Sequence, residues 1–511
     1  AQVPGVYVRG EDGFGLRPNI GLRGASSDRS AKVTLMEDGV LLAPAPYSAP
    51  AAYYFPLMER IAGVEVFKGP SAIRHGPHTV GGAINLKTRR IPRGMAGHID
   101  LGAGNRGAFK GHGHWGYSDT NWGVLLEGAR LQNDGFKELD GGGPTGFSKN
   151  ELTAKGRWNT TPGSGDWYQQ LDLKLGYGDE RSNETYLGLA QQDYEATPYR
   201  RYAASQLGLM EWWRTQARLD YFIARGDQLD LQLTGYRNDF SRSWRKLNRF
   251  RDGPRLAQVL ANPNSGRTAV FYEVLTGNRD SSGDEQILQI GTNARSYVSQ
   301  GGLVRGHWRE RWGELEQELE LGLRVHHDRV RRHHTEEGHR MRNGTLVPAG
   351  DATISTTRNE GEALAVAAHL VEELRWGGLT AAPGVRLEHI RTRWHDRLAE
   401  QRQNSARTEV LPGVGLHYQA LPWLGFLAGV HQGFSPVSPG QPEEVQAEKS
   451  INYELGTRLG TDANELELIG FVNDYRNLTG QCRFAAGCTE AQLDRQFNGG
   501  AVLVSGLEAA A

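Results

Sequence analysis

From about residue 94 onward, apolar and polar positions alternate one by one along most of the chain. Leu171, Leu173, Leu175 and Tyr177 are separated by Asp172 and Lys174, and Leu229, Leu231 and Leu233 by Asp230 and Gln232. Leu319, Leu321, Leu323 and Val325 alternate with Glu320 and Arg324, and Leu364, Val366, Ala368 and Leu370 repeat the pattern. Leu466 and Leu468 do the same against Glu465 and Glu467. Period two predicts β-strands with one apolar face, not helices. Roughly sixteen or seventeen such strands are expected after residue 94. Short connections at 160–166, 224–228, 376–379 and 419–423 alternate with long ones, for which 239–286 and 328–360 are read as loops. A transmembrane barrel has this rhythm, with tight turns on one rim and long loops on the other. Aromatic residues near predicted strand ends suit interface girdles: Trp115 and Tyr117, Trp212 and Trp213, Trp308 and Trp312, Trp376, and Trp423.

Composition changes this picture little. The chain has 511 residues, a net charge of -1 and 67 glycines. That charge gives no bulk attraction to nucleic acid or anionic lipid. No apolar run reaches the 18 residues of a transmembrane helix. The mean hydropathy of −0.55 would suit a soluble protein, but barrel strands, apolar outside and polar inside, average to the same value. A soluble β-rich surface or carbohydrate-binding protein therefore stays open at this level. Cys482 and Cys488, six positions apart in QCRFAAGC, are either unrelated thiols or, as we expect, a disulfide closing a small loop in an oxidising compartment. No GxSxG elbow or HExxH pair is present, so no enzyme is expected.

The segment 33–88 has a texture of its own. It carries Asp38-Gly39, Met58-Glu59-Arg60-Ile61, Val64-Glu65-Val66, Gly69-Pro70, His75-Gly76, Gly81-Gly82, Ile84-Asn85 and Thr88. In order and spacing this resembles the plug domain of the TonB-dependent outer-membrane receptors. The resemblance implies an all-β-dominated fold: a transmembrane antiparallel barrel of the 22-stranded type around an N-terminal α+β plug, 1–93, with the barrel in 94–511. The family's TonB box and final strands are expected to lie outside this sequence, which would leave its barrel unclosed. Energy would come from the TonB–ExbB–ExbD complex, and the barrel would sit among outer-membrane lipid and lipopolysaccharide.

Within the family the plug is similar to that of the ferric citrate receptors, through GLRG (21–24), VTLMEDG (33–39), APY (45–47) and VGGAINLKTRRIP (80–92). That resemblance implies import of a ferric chelate, iron(III) dicitrate or a carboxylate-type siderophore, with no resident cofactor and no metal site. It implies ligand contacts from Arg23, Arg29, Tyr47, Ser48, Arg242 and Arg295, with Arg245 and the pair Arg200-Arg201 as further basic candidates. Guanidinium forks suit carboxylates because they offer paired, charge-assisted donors. It also implies plug-to-barrel contacts between Lys68, which replaces the family's arginine, and Glu448 or Glu508. A rival cargo, haem or zinc, is suggested by His326, His327, His333, His334 and His339, since imidazole binds both.

Overall fold

The computed structural model describes residues 3–163, 165–461, 464–482, 488 and 495–511. Six short strands come first: β1 (Val6–Arg9), β2 (Asn19–Leu22), β3 (Thr34–Glu37), β4 (Val40–Leu41), β5 (Ile61–Phe67) and β6 (Ala83–Thr88). β1 pairs with β2, and a four-stranded sheet runs β4-β3-β6-β5. Asp38 and Gly39 both hold positive φ, 50° and 85°, as a tight hairpin turn requires. The Asp38 carboxylate accepts the Thr88 amide at 2.8 Å and so joins the two ends of the plug motif. Gly82 is at φ 107°, and a Cβ there would lie 2.5 Å from the Phe67 carbonyl oxygen, so a larger side chain would break the β5–β6 register.

The remaining strands are β7 (Ala96–Ala103), β8 (Phe109–Ser118), β9 (Trp122–Asn133), β10 (Glu138–Leu139), β11 (Phe147–Asn159) and β12 (Tyr168–Ser182). Next come β13 (Arg200–Arg201), β14 (Leu209–Arg225), β15 (Leu229–Phe250), β16 (Leu288–Trp312), β17 (Leu315–Arg342), β18 (Thr345–Pro348) and β19 (Ile354–Trp376). The chain ends with β20 (Leu379–Asp396), β21 (Gln401–Leu421), β22 (Leu424–Ser435), β23 (Glu448–Thr461), β24 (Asn464–Arg476), β25 (Thr479–Gln481), β26 (Gln496–Asn498) and β27 (Val502–Ala510). Seventeen of these form one large antiparallel sheet that curls into a barrel wall. The number agrees with the sequence-based count; the ladder runs without a break from β7 through β8, β9 and β11 to β24 and β27, and no register joins β27 to β7 at the seam among the described residues. This seam carries very bare apolar side chains, Ile99 at 74%, Leu101 at 69%, Leu503 at 69% and Leu507 at 77% exposed.

Alternation holds round the wall: Leu171, Leu173, Leu175 and Tyr177 point outward and exposed, while Lys174 points inward and is buried. No helix is long and apolar enough to cross a membrane, and the crossing is made by strands. Turns such as 226–228, 313–314, 377–378 and 422–423 mark one rim. At the other rim, α1 (Gln191–Ala196), α2 (Leu256–Ala261) and α3 (Gly266–Thr276) lie in long connections. There Leu247, Phe250, Val259, Phe271, Leu275 and Leu288 share a small core. Two sequence expectations need correction. The stretch 328–360 is largely strand, built by the ends of β17 and β19 with β18 between them, whereas 239–286 keeps strand only to Phe250 and then runs as a long connection through α2 and α3. Both faces of such extensions meet water or polar loops, so apolar alternation fades there. Trp212 is no girdle residue: it points inward and packs edge-on against Tyr54 of the plug, ring centres 5.4 Å apart.

The outward face makes a first prediction. Leu173→Arg is expected to destabilise the barrel in lipid by about 2–4 kcal/mol, the cost of an arginine near the bilayer midplane. Urea unfolding in lipid vesicles measures it. A near-neutral result would mean that this face meets water.

Candidate functional site

The plug is held inside the wall by buried charge. Arg60 of the plug donates to plug Glu37 at 2.6 Å and pairs with barrel Glu151. Barrel Lys174 reaches Glu37 at 2.5 Å and Asp38 at 2.7 Å, and Arg214 stands 4.0 Å from Glu37. Burial pushes the Glu37 carboxyl up, but Arg60, Lys174 and Arg214 outweigh it and hold the group well below the usual carboxylate range. Lys68 meets Glu508 at 2.7 Å. Glu448, the other expected partner of Lys68, is instead taken by Lys32 at 2.8 Å.

The apical loop of the plug, 43–54, is pinned by the barrel. Asp328 on β17 accepts the backbone amides of Tyr47 at 2.7 Å and Ser48 at 3.0 Å, and also the Ser48 hydroxyl. Tyr47 donates its hydroxyl to Glu388 at 2.8 Å. Above this loop lies a cleft of about 300 Å³, lined from the plug by Arg9, Glu11, Asp28, Arg29, Ser48 and Tyr53. From the barrel come Tyr186, Arg242, Trp244, Lys246, Asn293, Arg295 and Arg332, with Cys482 at the mouth. Six of the lining residues are basic and two acidic.

The register of three strands explains the positive wall. Arg242 on β15 pairs across with Arg295 on β16, which pairs across with Arg332 on β17. All three face the cleft in one row. Like charges directly opposite on neighbouring strands repel. Arg242 is only 2% exposed and has no carboxylate within ion-pair distance among the described residues. Its guanidinium carbon lies 3.9 Å from the centre of the Tyr53 ring. Arg242 Nε, Trp244 Nε1 and Asn293 Oδ1 are buried without a hydrogen-bond partner among the described residues. Buried polar atoms are costly when unpaired, so this wall is built to meet something polar.

Arg29, Ser48, Arg242 and Arg295 thus come together as the sequence suggested. Other expected ligand residues lie elsewhere. Arg23 serves the plug–barrel junction, with Nη1 2.9 Å from Glu454 and Nε 2.9 Å from Glu508. Arg245 follows Trp244 on β15, so strand alternation turns it to the opposite face, where it donates to the Leu207 carbonyl at 2.8 Å. Arg200 is held by Asp140 at 3.0 Å and Asp193 at 2.8 Å in the outer loops. Arg201 lines a neighbouring cleft of about 360 Å³ that shares Arg29 and Trp244 with the first. Tyr47 is buried beneath the loop. Arg29 is in the cleft but already paired with Glu11 at 2.6 Å. Arg332 and Lys246 were missed, Arg332 because its surroundings read as a loop.

The histidine run does not gather. It lies within β17, where His326 is buried against Tyr236, His334 contacts Arg295, and His333 is exposed beside Ser355. Cys482 and Cys488 form a disulfide, and 483–487 between them lie outside the described residues.

A lipid-facing barrel, stoppered by a charged and hydrogen-bonded plug whose apex floors a cationic cleft, is the architecture of a gated outer-membrane receptor. Residues 212–511 match the family model "TonB dependent receptor-like, beta-barrel", and residues 1–83 match the TonB-dependent receptor plug domain. The chain belongs to the TonB-dependent receptors. These are integral outer-membrane receptors for ferric siderophores and other chelates, and not enzymes. The fold is similar to that of the ferric citrate transporter FecA in the unliganded form, at 20% identity and a TM-score of 0.77, covering 99% of this chain and 70% of that one. It is also similar to the ferric yersiniabactin uptake receptor FyuA from Yersinia pestis, at 17% identity and a TM-score of 0.72, covering 99% and 71%. A third similar structure is the copper transporter OprC, at 15% identity and a TM-score of 0.65, covering 99% and 72%.

Proposed function

We propose that the cleft receives a multiply anionic ferric chelate of the carboxylate type, iron(III) dicitrate first among them. The observation that carries this is the cross-strand row Arg242–Arg295–Arg332. Three guanidinium groups abreast offer planar forks to several carboxylates at once, and an anion between them removes their mutual repulsion. Ser48 and Asn293 add neutral polar contacts, and Tyr53 and Trp244 supply flat apolar surface for the ligand's carbon skeleton. FecA, one of the solved structures similar to this chain, is a ferric citrate transporter, which fits the same chemistry.

Import in this account requires the plug to loosen. Asp328 connects the floor of the cleft to β17, the strand that carries Arg332. A ligand drawing on Arg332 therefore acts on the strand that pins the apical loop. Energy comes from TonB with ExbB–ExbD, and the barrel sits in the lipopolysaccharide-containing outer membrane. Uptake of radioactive iron tests the proposal in cells that depend on this receptor. Iron supplied as citrate is expected to accumulate, and to stop doing so when the proton gradient is dissipated. Equal uptake from a neutral hydroxamate chelate would overturn it.

A further inference from the structure

We infer that His112, His114 and Glu127 form a binding site for a divalent transition-metal ion on the inner wall of the barrel, separate from the chelate cleft. His112 and His114 are two apart on β8, so both point into the lumen. Glu127 on β9 is the register partner of His114. One potential ligand atom from each of the three lies within 4.8 Å of the others. On the far side of His114, its register partner on β7 is His98, whose ring centre is 6.0 Å away. Two imidazoles and a carboxylate are the donor set of zinc, copper or nickel sites, and not of calcium or magnesium sites, which take oxygen.

The second observation is unmet bonding capacity. Glu127 is 5% exposed, and its Oε2 has no hydrogen-bond partner among the described residues; neither has buried Nδ1 of His114. The other carboxylate oxygen, Oε1, is engaged: His112 Nε2 lies 2.9 Å from it and Arg89 Nε 3.1 Å. Arg89 is the first residue after the last plug strand, and its carbonyl accepts Lys155 at 2.6 Å. The site therefore stands where the plug's tether meets the wall. A dication there repels the Arg89 guanidinium, so metal and Arg89 compete for Glu127. Occupancy would release one of the contacts that hold the tether.

The test uses the detergent-solubilised receptor, stripped by a chelator and titrated with Zn²⁺ by calorimetry. Cu²⁺ electron paramagnetic resonance gives a second readout. One saturable site is expected, with a copper spectrum showing coupling to two imidazole nitrogens. His114→Ala and Glu127→Gln are each expected to weaken Zn²⁺ by tenfold or more. Arg89→Gln is expected to tighten it, which loss of folding cannot mimic. The proposal is overturned if binding is unsaturable, or if it is lost in His333→Ala and kept in His114→Ala.

Discussion

Replacing Arg242 by methionine is expected to move binding and stability in opposite directions. The affinity for an anionic ferric chelate should fall by about 2–5 kcal/mol, the usual effect of deleting one partner of a buried charged contact. That corresponds to a loss of at least about thirtyfold in Kd. The empty receptor should become more stable by about 1 kcal/mol or more, because a buried cation beside the Arg295 guanidinium is replaced by a flexible apolar chain. The partial offset is the lost contact with the Tyr53 ring, 3.9 Å away. Chelate titration and the apparent unfolding midpoint in detergent measure the two effects. A purely structural arginine would lose both stability and binding, and a solvated one would change neither.

Glu37→Gln is expected to have the largest effect on the plug. The substitution keeps the shape and removes the charge that Arg60, Lys174 and Arg214 share. Breaking a buried ion network on one side leaves its cations uncompensated, at about 3–5 kcal/mol. Asp38 and Glu151 retain part of the network, so the barrel itself should persist. The variant should therefore keep heat-modifiable migration on a gel while its plug becomes open to proteolysis. A plug as resistant as the wild type would show that the network is not what seats it.

The strands and the plug were legible in the sequence because each rests on a local pattern. Leu171 to Tyr177 alternate for a two-sided wall, and Asp38-Gly39 and Gly82 are demanded by backbone geometry within a few residues. Arg242 and Arg295 were found through resemblance, but the sequence could not say that they stand abreast. Cross-strand register is non-local, and only the pairing of β16 with β17 adds Arg332 to the row. The same limit hid the partner of Glu448, since Lys32 lies more than 400 positions away. Arg245 was placed in the cleft by proximity in sequence, whereas neighbours on a strand face opposite ways. Trp212 was indistinguishable from Trp213 beside it, yet one packs on the plug and the other faces outward. Histidines 326–339 looked like a cluster because they are close in sequence, and an extended strand spreads them along the wall.

In the proposed function, the row of arginines selects cargo by negative charge. Trp244 lines the cleft, so its fluorescence provides a direct signal of occupancy. The decisive measurement is a titration of the purified receptor with ferric citrate and, separately, with a neutral ferric trihydroxamate of similar size. Saturable binding of ferric citrate is expected, at least a hundredfold tighter than the neutral chelate and weakened by added salt. Equal or tighter binding of the neutral chelate would contradict it.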